Sequence, residues 1–423
     1  MLSGKDEAFM IRFDRHILDN GLRVIIHRDE YTPLVAVNVL YDVGSRDEHP
    51  DRTGFAHLFE HLMFGGTEHI PEYDRPVQDA GGENNAFTST DLTNYYMTLP
   101  RKNLETAFWL ESDRMSGLAF SEKSLEVQRN VVIEEFKQSY LNQPYGDIML
   151  LLRPLAYTVH PYRWNTIGED ISHIENVQMN EVKRFFKQFY SPSNAILSIC
   201  GNVSKDEVTV LADKWFSHLK PGQTEHRKLP EEPEQREIRT MTVTRDVPYT
   251  AIIKAFHMPA RLEKDYHACD LISDILSNGK SSRLYNRLFK EKKLFSEINA
   301  YISGSHDRGL FLINGLLAQD VGIEEAENAL NEELAKLSTE DIEENELQKV
   351  KNKVESSLVL SYTDIRTKAL NLAIYELLGD ASLMNTDILK YHEVNIEDIK
   401  RVSGQLFRQP NCSTLYYLAG NKK

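Results

Sequence analysis

A polar, proline-bearing stretch near the middle of the chain divides it into two halves of similar length. Residues 220–224 contain Pro221 and Gly222, and residues 228–236 contain two further prolines and three glutamates. Such composition is typical of an exposed connection between folded domains. Because 423 residues exceed one ordinary domain, we expect an N-terminal domain over 1–220, a linker over 221–236 and a C-terminal domain over 237–423.

The two halves repeat the same order of predicted elements. In the first half a helix precedes a strand that begins near Asn85-Ala86-Phe87, and a helix follows over 104–115. In the second half a helix over 268–289 precedes a strand at 299–303, and a helix follows over 323–337. This order indicates an internal duplication. The predicted fold class is α+β, with two related α/β-sandwich-type domains, each a mainly antiparallel sheet with helices packed on it.

Periodicity predicts the other elements of the first half and the start of the second. Alternating or β-branched runs predict strands over 22–27, 32–43, 84–99, 195–200 and 239–244. Apolar residues at helical spacing predict helices over 51–63, 122–140 and 180–190. Ser121 is the expected N-cap of the helix over 122–140.

Charge and composition exclude several classes of function. The chain has 49 basic and 64 acidic residues, a net charge of −15, and such a surface repels nucleic acid and anionic lipid. No apolar stretch is long enough to span a membrane. The three cysteines are scattered and predict neither a disulfide framework nor a thiolate metal site. The first residues lack the pattern of a signal peptide. We expect a cytoplasmic protein, or a periplasmic one if a signal peptide has been removed.

The segment His57-Leu58-Phe59-Glu60-His61 carries the strongest chemical signal. Residues four apart share one face of a helix, so both imidazoles can reach one ion. Zinc sites of catalytic type use three protein ligands and keep a fourth position open. Glu60 is better placed to act on a water in that position than to bind the ion. The alternative is a polar helix face with two hydrogen-bonded histidines.

A third ligand is expected from the helix over 122–140. Glu134 and Glu135 point about 100° apart on a helix, so only one of them can face the ion. Gln128 and Glu135 lie two turns apart on one face. The residues alone leave both glutamates open.

The sequence resembles the pitrilysin family of zinc metallopeptidases, which carry the inverted motif H-x-x-E-H. The similarity is strongest to the branch that contains mitochondrial processing peptidase and its bacterial relatives. It extends over nearly the whole chain and rests on the segments 54–64, 81–89, 160–162, 190–194 and 281–285.

The resemblance implies a set of site residues. Arg129-Asn130 aligns the family's run so that Glu135 matches the third zinc ligand, with His57 and His61 as the other two. One zinc ion per chain is implied, with Glu60 as general base on the zinc-bound water. A glutamate of the family falls on Gln128 here, which changes a neighbour of the metal ligands.

The resemblance also implies where a peptide would bind. The family's substrate-binding edge strand matches five consecutive residues, Asn85, Ala86, Phe87, Thr88 and Ser89. Strand addition requires an extended, unstructured peptide. The alternative for Asn85 is an asparagine that begins a turn or strand.

A second departure from the family lies in the C-terminal half. Members that work on their own carry an arginine and, seven residues later, a tyrosine, which bind substrate and the oxyanion. The matching positions here are Phe289 and Ser296. Lys290 or Lys292 is the alternative donor. We expect instead that a homologous partner subunit supplies the missing pair in a heterodimer, with a homodimer as the alternative.

These features predict a zinc-dependent endopeptidase that hydrolyses short unstructured peptides in a chamber formed by two subunits. The alternative from another class is a non-catalytic structural or partner subunit of the same fold. A zinc hydrolase that is not a peptidase would fit the metal motif but not the strand after Gly81-Gly82.

Overall fold

The computed structural model describes residues 10–222 and 228–420, so residues 223–227 of the predicted linker lie outside the described residues. One sheet contains β1 (Asp14–Ile17), β2 (Arg23–Arg28), β3 (Leu34–Tyr41), β4 (Glu83–Thr88), β5 (Thr93–Pro100) and β6 (Ala195–Gly201). The other contains β7 (Arg239–Arg245), β8 (Ala251–His257), β9 (Phe295–Ser303), β10 (Leu310–Leu317) and β11 (Cys412–Ala419).

Helices surround both sheets. Before the linker they are α1 (Phe55–Leu62), α2 (Asp74–Asp79), α3 (Leu104–Ser116), α4 (Glu122–Phe136), α5 (Ile148–Ala156), α6 (Ile171–Glu175), α7 (Met179–Phe189) and α8 (Lys205–Phe216). After it they are α9 (Tyr266–Ser277), α10 (Ile323–Thr339), α11 (Glu344–Ser361), α12 (Ile365–Leu377), α13 (Asp387–Glu393) and α14 (Ile396–Leu406).

The two sheets share one topology. The first has the order β1-β2-β6-β3-β5-β4 and the second β7-β11-β8-β10-β9. In each, one pair is parallel, β2 with β6 and β7 with β11, and the remaining pairs are antiparallel. The strand β1 is the one addition in the first sheet. The predicted fold class of two related, mainly antiparallel α/β domains is therefore confirmed.

An asparagine at the equivalent position stabilises the turn before β6 in the first sheet and before β11 in the second. The side-chain amide of Asn194 donates to the carbonyls of Asp42 and Phe189. The side-chain amide of Asn411 donates to the carbonyls of His257 and Leu406. Both asparagines follow a helix and precede a strand, so the duplication extends to individual hydrogen bonds.

The chain forms two compact units, each of which draws on both halves of the sequence. Among the described residues the first unit contains 10–137, 164–222, 228–229 and 358–386, and the second contains 138–163, 230–357 and 387–420. Helix α12 thus belongs to the first unit and α5 to the second. Each compact unit therefore includes one segment from the other half of the sequence. The contiguous domains over 1–220 and 237–423 stay a prediction.

Each exchanged helix covers one face of a sheet. Ala369, Leu372 and Ala373 of α12 are buried against Ala36 and Ile196 of the first sheet. In the second unit, α5 is buried against the second sheet through Leu152 and Ala156, which pack on Ile253, Leu312 and Leu415. Burial of these apolar surfaces removes them from water and stabilises each unit.

Two of the predicted elements whose bounds differ from the structure do so for a local reason. The strand predicted over 84–99 is a hairpin of β4 and β5, because the Ser89 hydroxyl accepts the amides of Asp91 and Leu92 and turns the chain. The helix predicted over 268–289 ends at Ser277. Two residues later Gly279 has a φ of +88°, which a continuing helix does not allow.

Cys200, Cys269 and Cys412 are buried and unpaired. Within the part of the chain that the structure describes, no helix is both long and apolar enough to cross a membrane.

Candidate metal centre

Helix α1 presents the histidine motif because its apolar residues anchor the opposite face. Phe55, Leu58, Phe59 and Leu62 are buried, whereas His57, Glu60 and His61 are only partly buried. The helix was predicted from residue 51 but begins at Phe55. Gly54 has a φ of +89°, and a Cβ there would lie 2.6 Å from the Ile167 carbonyl oxygen. The chain can turn into the helix at this point only with a glycine.

A buried carboxylate holds the start of α1. Glu48 is 1% exposed, and its two oxygens accept the amides of Gly54 and Ala56 at 2.9 and 2.8 Å. These amides have no partner within the helix, so the carboxylate supplies their acceptors. Its negative charge also interacts favourably with the positive end of the helix dipole. Burial raises the pKa of Glu48. The sequence analysis did not identify this residue, since a cap six residues upstream has no local signature.

Helix α4 brings a carboxylate to the two imidazoles. Glu135 Oε2 lies 3.4 Å from His61 Nε2 and 3.7 Å from His57 Nε2. The ligand atoms of His57, His61 and Glu135 all lie within 4.8 Å of one another. Atoms that bind one zinc ion at about 2.1 Å with tetrahedral angles are about 3.4 Å apart. The donor set and its spacing therefore fit a zinc ion with one open position.

The structure separates the two candidate glutamates. The Glu134 side chain is 72% exposed and forms an ion pair with Lys137, 2.8 Å away. Only Glu135 is brought to the histidines. Ser121 accepts the Ser124 amide with its side chain, so it caps α4 as predicted. Gln128 is half-buried two turns before Glu135, and within the described residues it makes no hydrogen bond to the three candidate ligands.

The electrostatic environment favours the metal-binding protonation states of His57 and Glu135. Burial lowers the pKa of His57 to about 4, so the imidazole is neutral near neutral pH. The hydrogen bond from His61 lowers the pKa of Glu135, so this carboxyl group is ionised. Metals bind neutral imidazole and ionised carboxylate. The site therefore needs little proton release from these two groups before an ion enters.

Glu60 projects from the same helix toward strand β4. The Thr88 hydroxyl donates to Glu60 Oε2 at 2.7 Å. Burial raises the pKa of Glu60, and the Thr88 hydrogen bond partly opposes this rise. A carboxylate with a raised pKa is a stronger base. The carboxylate of Glu60 is not part of the group of candidate ligands formed by His57, His61 and Glu135. This agrees with the expectation that Glu60 acts on a water molecule and does not bind the ion.

The predicted substrate strand lies at the free edge of the first sheet. Residues Asn85 to Thr88 belong to β4, which pairs only with β5, and Ser89 lies in the turn that follows. Phe87 packs against the buried cluster of the first sheet and α12. Asn85 is exposed, and its side-chain oxygen accepts the Ala86 amide at 2.8 Å. Strand β4 is thus an edge strand whose Ala86 amide bonds the Asn85 side chain.

The two positions that depart from the family are occupied by groups with local partners in the second unit. The Phe289 ring stacks on Tyr285 with ring centroids 5.0 Å apart. The Ser296 hydroxyl lies 3.3 Å from the carbonyl oxygens of Leu316 and Leu317 and donates to them. Of the alternative donors, Lys292 lies 3.5 Å from Glu332 and Lys290 is exposed.

Two family models match this chain. Residues 23–152 match "Insulinase (Peptidase family M16)", and residues 176–354 match "Peptidase M16 inactive domain". The first match contains every residue of the candidate metal centre. The second begins at residue 176 in the first half and contains helix α9, Phe289 and Ser296.

Individual proteins are similar over nearly the whole chain. A zinc protease of Helicobacter pylori, PqqE, is 29% identical over 97% of this chain and 94% of its own length. A probable beta subunit of mitochondrial-processing peptidase from Arabidopsis thaliana is 24% identical over 81% of this chain and 66% of its own length. The crystal structure of a protease from Helicobacter pylori has a TM-score of 0.91 at 29% identity, covering 97% of this chain and 100% of that one.

Proposed function

Because this chain belongs to the M16 (insulinase) family of peptidases, we propose that it is a zinc-dependent endopeptidase of short, unstructured peptides. Proteins similar to it over nearly their whole length are named zinc proteases. The observation that carries the proposal is the convergence of His57, His61 and Glu135 within 4.8 Å, with Glu60 beside them. A scaffold without catalysis has no need for this donor set together with a neighbouring base.

The proposed chemistry uses each of the four residues differently. His57, His61 and Glu135 would hold the ion, which supplies Lewis-acid polarisation of the scissile carbonyl and the attacking water. Glu60 takes the proton of that water and delivers it to the leaving amine. Its raised pKa supports this role, since a base must hold the proton between the two transfers.

The edge strand β4 supports an extended peptide as the substrate. Backbone groups on the free side of an edge strand bind a peptide through main-chain hydrogen bonds, with little dependence on its sequence. β4 ends at Thr88, whose hydroxyl contacts Glu60, so a peptide paired with this strand would reach the base. A folded protein cannot present a free strand in this way, which restricts the substrates to unstructured segments.

A partner subunit is the second part of the proposal. Phe289 cannot donate a hydrogen bond, and the Ser296 hydroxyl is used by carbonyl groups of its own sheet. A homologous subunit that supplies an arginine and a tyrosine, across a chamber between the two subunits, would complete the oxyanion site. One similar protein is named as the beta subunit of a peptidase, which supports assembly with a different chain. A homodimer is the alternative, and a cytoplasmic location stays a prediction.

The competing function is a non-catalytic subunit, which the two substitutions at Phe289 and Ser296 favour. The first experiment is a mass-spectrometric time course on the zinc-loaded chain with an unstructured peptide of ~20–30 residues, a length that an extended strand and its flanks can engage. Glu60→Gln is the blank. Cleavage above the blank supports a self-sufficient peptidase.

If the chain binds zinc but cleaves no peptide, the assay is repeated with a homologous subunit encoded by the same organism. Cleavage only by the pair supports the divided active site. A chain that binds no zinc and stays inactive with every homologous partner contradicts the proposed function and favours the structural subunit.

A further inference from the structure

Thr88 connects the proposed substrate strand to the proposed base. It is the last residue of β4, and its hydroxyl donates to Glu60 Oε2 at 2.7 Å. Hydrogen bonds to an ionised carboxylate are shorter and stronger than those between neutral groups. The family resemblance implied that Thr88 belongs to a strand that binds peptide. In the structure its side chain contacts the proposed base.

The backbone of Thr88 faces outward from the hairpin. The Ser89 amide pairs with the Leu92 carbonyl across the turn between β4 and β5. Hydrogen-bonded and non-hydrogen-bonded pairs alternate along an antiparallel ladder, so the amides of Thr88 and Ala86 point away from β5. The Ala86 amide bonds the Asn85 side chain. The Thr88 hydroxyl, at the end of this edge, is the donor that reaches Glu60.

We propose that Thr88 is a positioning residue, which holds the Glu60 carboxylate through its hydroxyl at the end of strand β4. This inference rests on the proposed function and adds one feature to it. The base is held in place before a peptide binds.

The physical reason lies in the flexibility of a glutamate. The side chain has three rotatable bonds, and a carboxylate without fixed donors occupies several orientations. Donors that are already in place when the substrate arrives remove this reorganisation from the reaction. A donor on the last residue of a strand holds the carboxylate more firmly than one on a loop, because the backbone that carries it is fixed by the hairpin.

The test compares Thr88→Val, which keeps the shape of the side chain but removes the donor, with Thr88→Ser, which keeps the donor. We expect Thr88→Val to lower kcat by ~10- to 100-fold, as small displacements of catalytic groups do. KM should stay within about twofold, because the peptide contacts the backbone of β4. Thr88→Ser should recover most of the lost kcat. Thr90→Val, in the turn of the same hairpin, is the control and should behave as wild type.

A second measurement needs neither zinc nor substrate. Thermal unfolding of the metal-free protein is compared for wild type, Thr88→Val, Glu60→Ala and the double variant. If Thr88 holds Glu60, Thr88→Val lowers the unfolding midpoint in the wild-type background but has almost no further effect in Glu60→Ala. Equal losses in both backgrounds would overturn the proposal. A rise in KM at unchanged kcat for Thr88→Val would overturn it too, since it would make Thr88 a substrate contact.

The two readouts separate this inference from the proposed function. If no peptide is cleaved by the chain or by any pair that contains it, the proposed function fails. The unfolding cycle then decides by itself whether Thr88 holds the Glu60 carboxylate.

Discussion

Helices α1 and α9 occupy equivalent places in the two units but present different chemistry. Each follows the strand that pairs with the last strand of its sheet, β3 in one unit and β8 in the other. When Phe55-Ala56 is set on Ala268-Cys269, every buried position of α1 falls on a buried position of α9, and Ser273 is buried in addition. In that alignment His57, Glu60 and His61 correspond to Asp270, Ser273 and Asp274.

The polar face of α9 is satisfied by its surroundings. Asp270 accepts a hydrogen bond from the Tyr391 hydroxyl at 2.6 Å, the Ser273 hydroxyl donates to the Asp270 carbonyl, and Asp274 accepts from the Asn278 amide. Leu125 and Leu347 are each the fourth residue of their helix, α4 and α11. When these two leucines are aligned, Glu135 corresponds to Ser357. The duplicated scaffold thus supports either a metal site or an ordinary hydrogen-bonded face, and a few side chains decide which.

The largest expected difference between the two helices is in zinc content. His61→Ala or Glu135→Ala should remove stoichiometric zinc, because a two-ligand site binds far more weakly than one with three. Asp274→Ala, at the equivalent of His61, and Glu134→Ala, one residue from the ligand, should keep one zinc per chain. Elemental analysis after dialysis measures this. Zinc loss in Glu134→Ala but not in Glu135→Ala would place the ligand on the neighbouring residue.

Hydrolysis should distinguish Glu60 from Ser273. Glu60→Gln keeps the three ligands and removes the base, so zinc should remain while kcat falls by about 10²- to 10⁴-fold. Ser273→Ala removes a hydroxyl that bonds only its own helix, and activity should stay unchanged. The assay is peptide cleavage followed by mass spectrometry, with the partner subunit present if it is needed. Full activity in Glu60→Gln would contradict its assignment as the base.

Stability should respond more strongly at the start of α1 than at the start of α9. Glu48→Ala leaves two buried amides without acceptors, and we expect a loss of about 2–3 kcal/mol in the free energy of unfolding. Asp265 precedes α9 and pairs with Arg401 in a partly exposed contact. Asp265→Ala should cost below about 1 kcal/mol. Urea unfolding of the metal-free variants measures both, and equal losses would contradict the buried cap.

The smallest expected effect is a difference in pH dependence between the same two regions. Burial raises the pKa of Asp47, beside Glu48, to about 6, whereas the Arg401 hydrogen bonds lower the pKa of Asp265. A raised carboxyl pKa stabilises the fold below pH ~4, where both states are protonated, and this stabilisation is lost as the pH rises through about 6. A carboxyl group whose pKa is lowered in the folded state, such as Asp265, contributes stability that is lost as the pH falls below ~4.

Asp47→Asn should therefore gain about 1–2 kcal/mol relative to wild type between pH 4 and pH 8. Asp265→Asn should change little relative to wild type over that range, and its stability deficit should shrink as the pH falls below ~4. Denaturant unfolding at a series of pH values measures both differences. A parallel pH dependence in the two variants would show that the surroundings of these carboxylates are alike.

Much of the fold follows from local patterns, and the exceptions share one cause. Strands β2, β3 and β6 and helices α3 and α7 lie within one or two residues of their predicted bounds, because apolar spacing within the segment decides them. The hairpin of β4 and β5 was predicted as one strand, since the alternation continues on both sides of the turn. The exchange of α5 and α12 between the units has no local signal, because it depends on which sheet face each helix covers.

The sequence by itself determined that His57, Glu60 and His61 share one side of a helix, since helical periodicity is a property of the local chain. Glu135 follows His61 by 135 − 61 = 74 residues, and nothing local relates the two. The choice between Glu134 and Glu135 needed either a family resemblance or the packing of α4 against α1. Only the tertiary structure placed Glu48 at the helix start and Thr88 against the base. These contacts join segments that are distant in sequence, and burial and hydrogen bonding across the folded unit decide them.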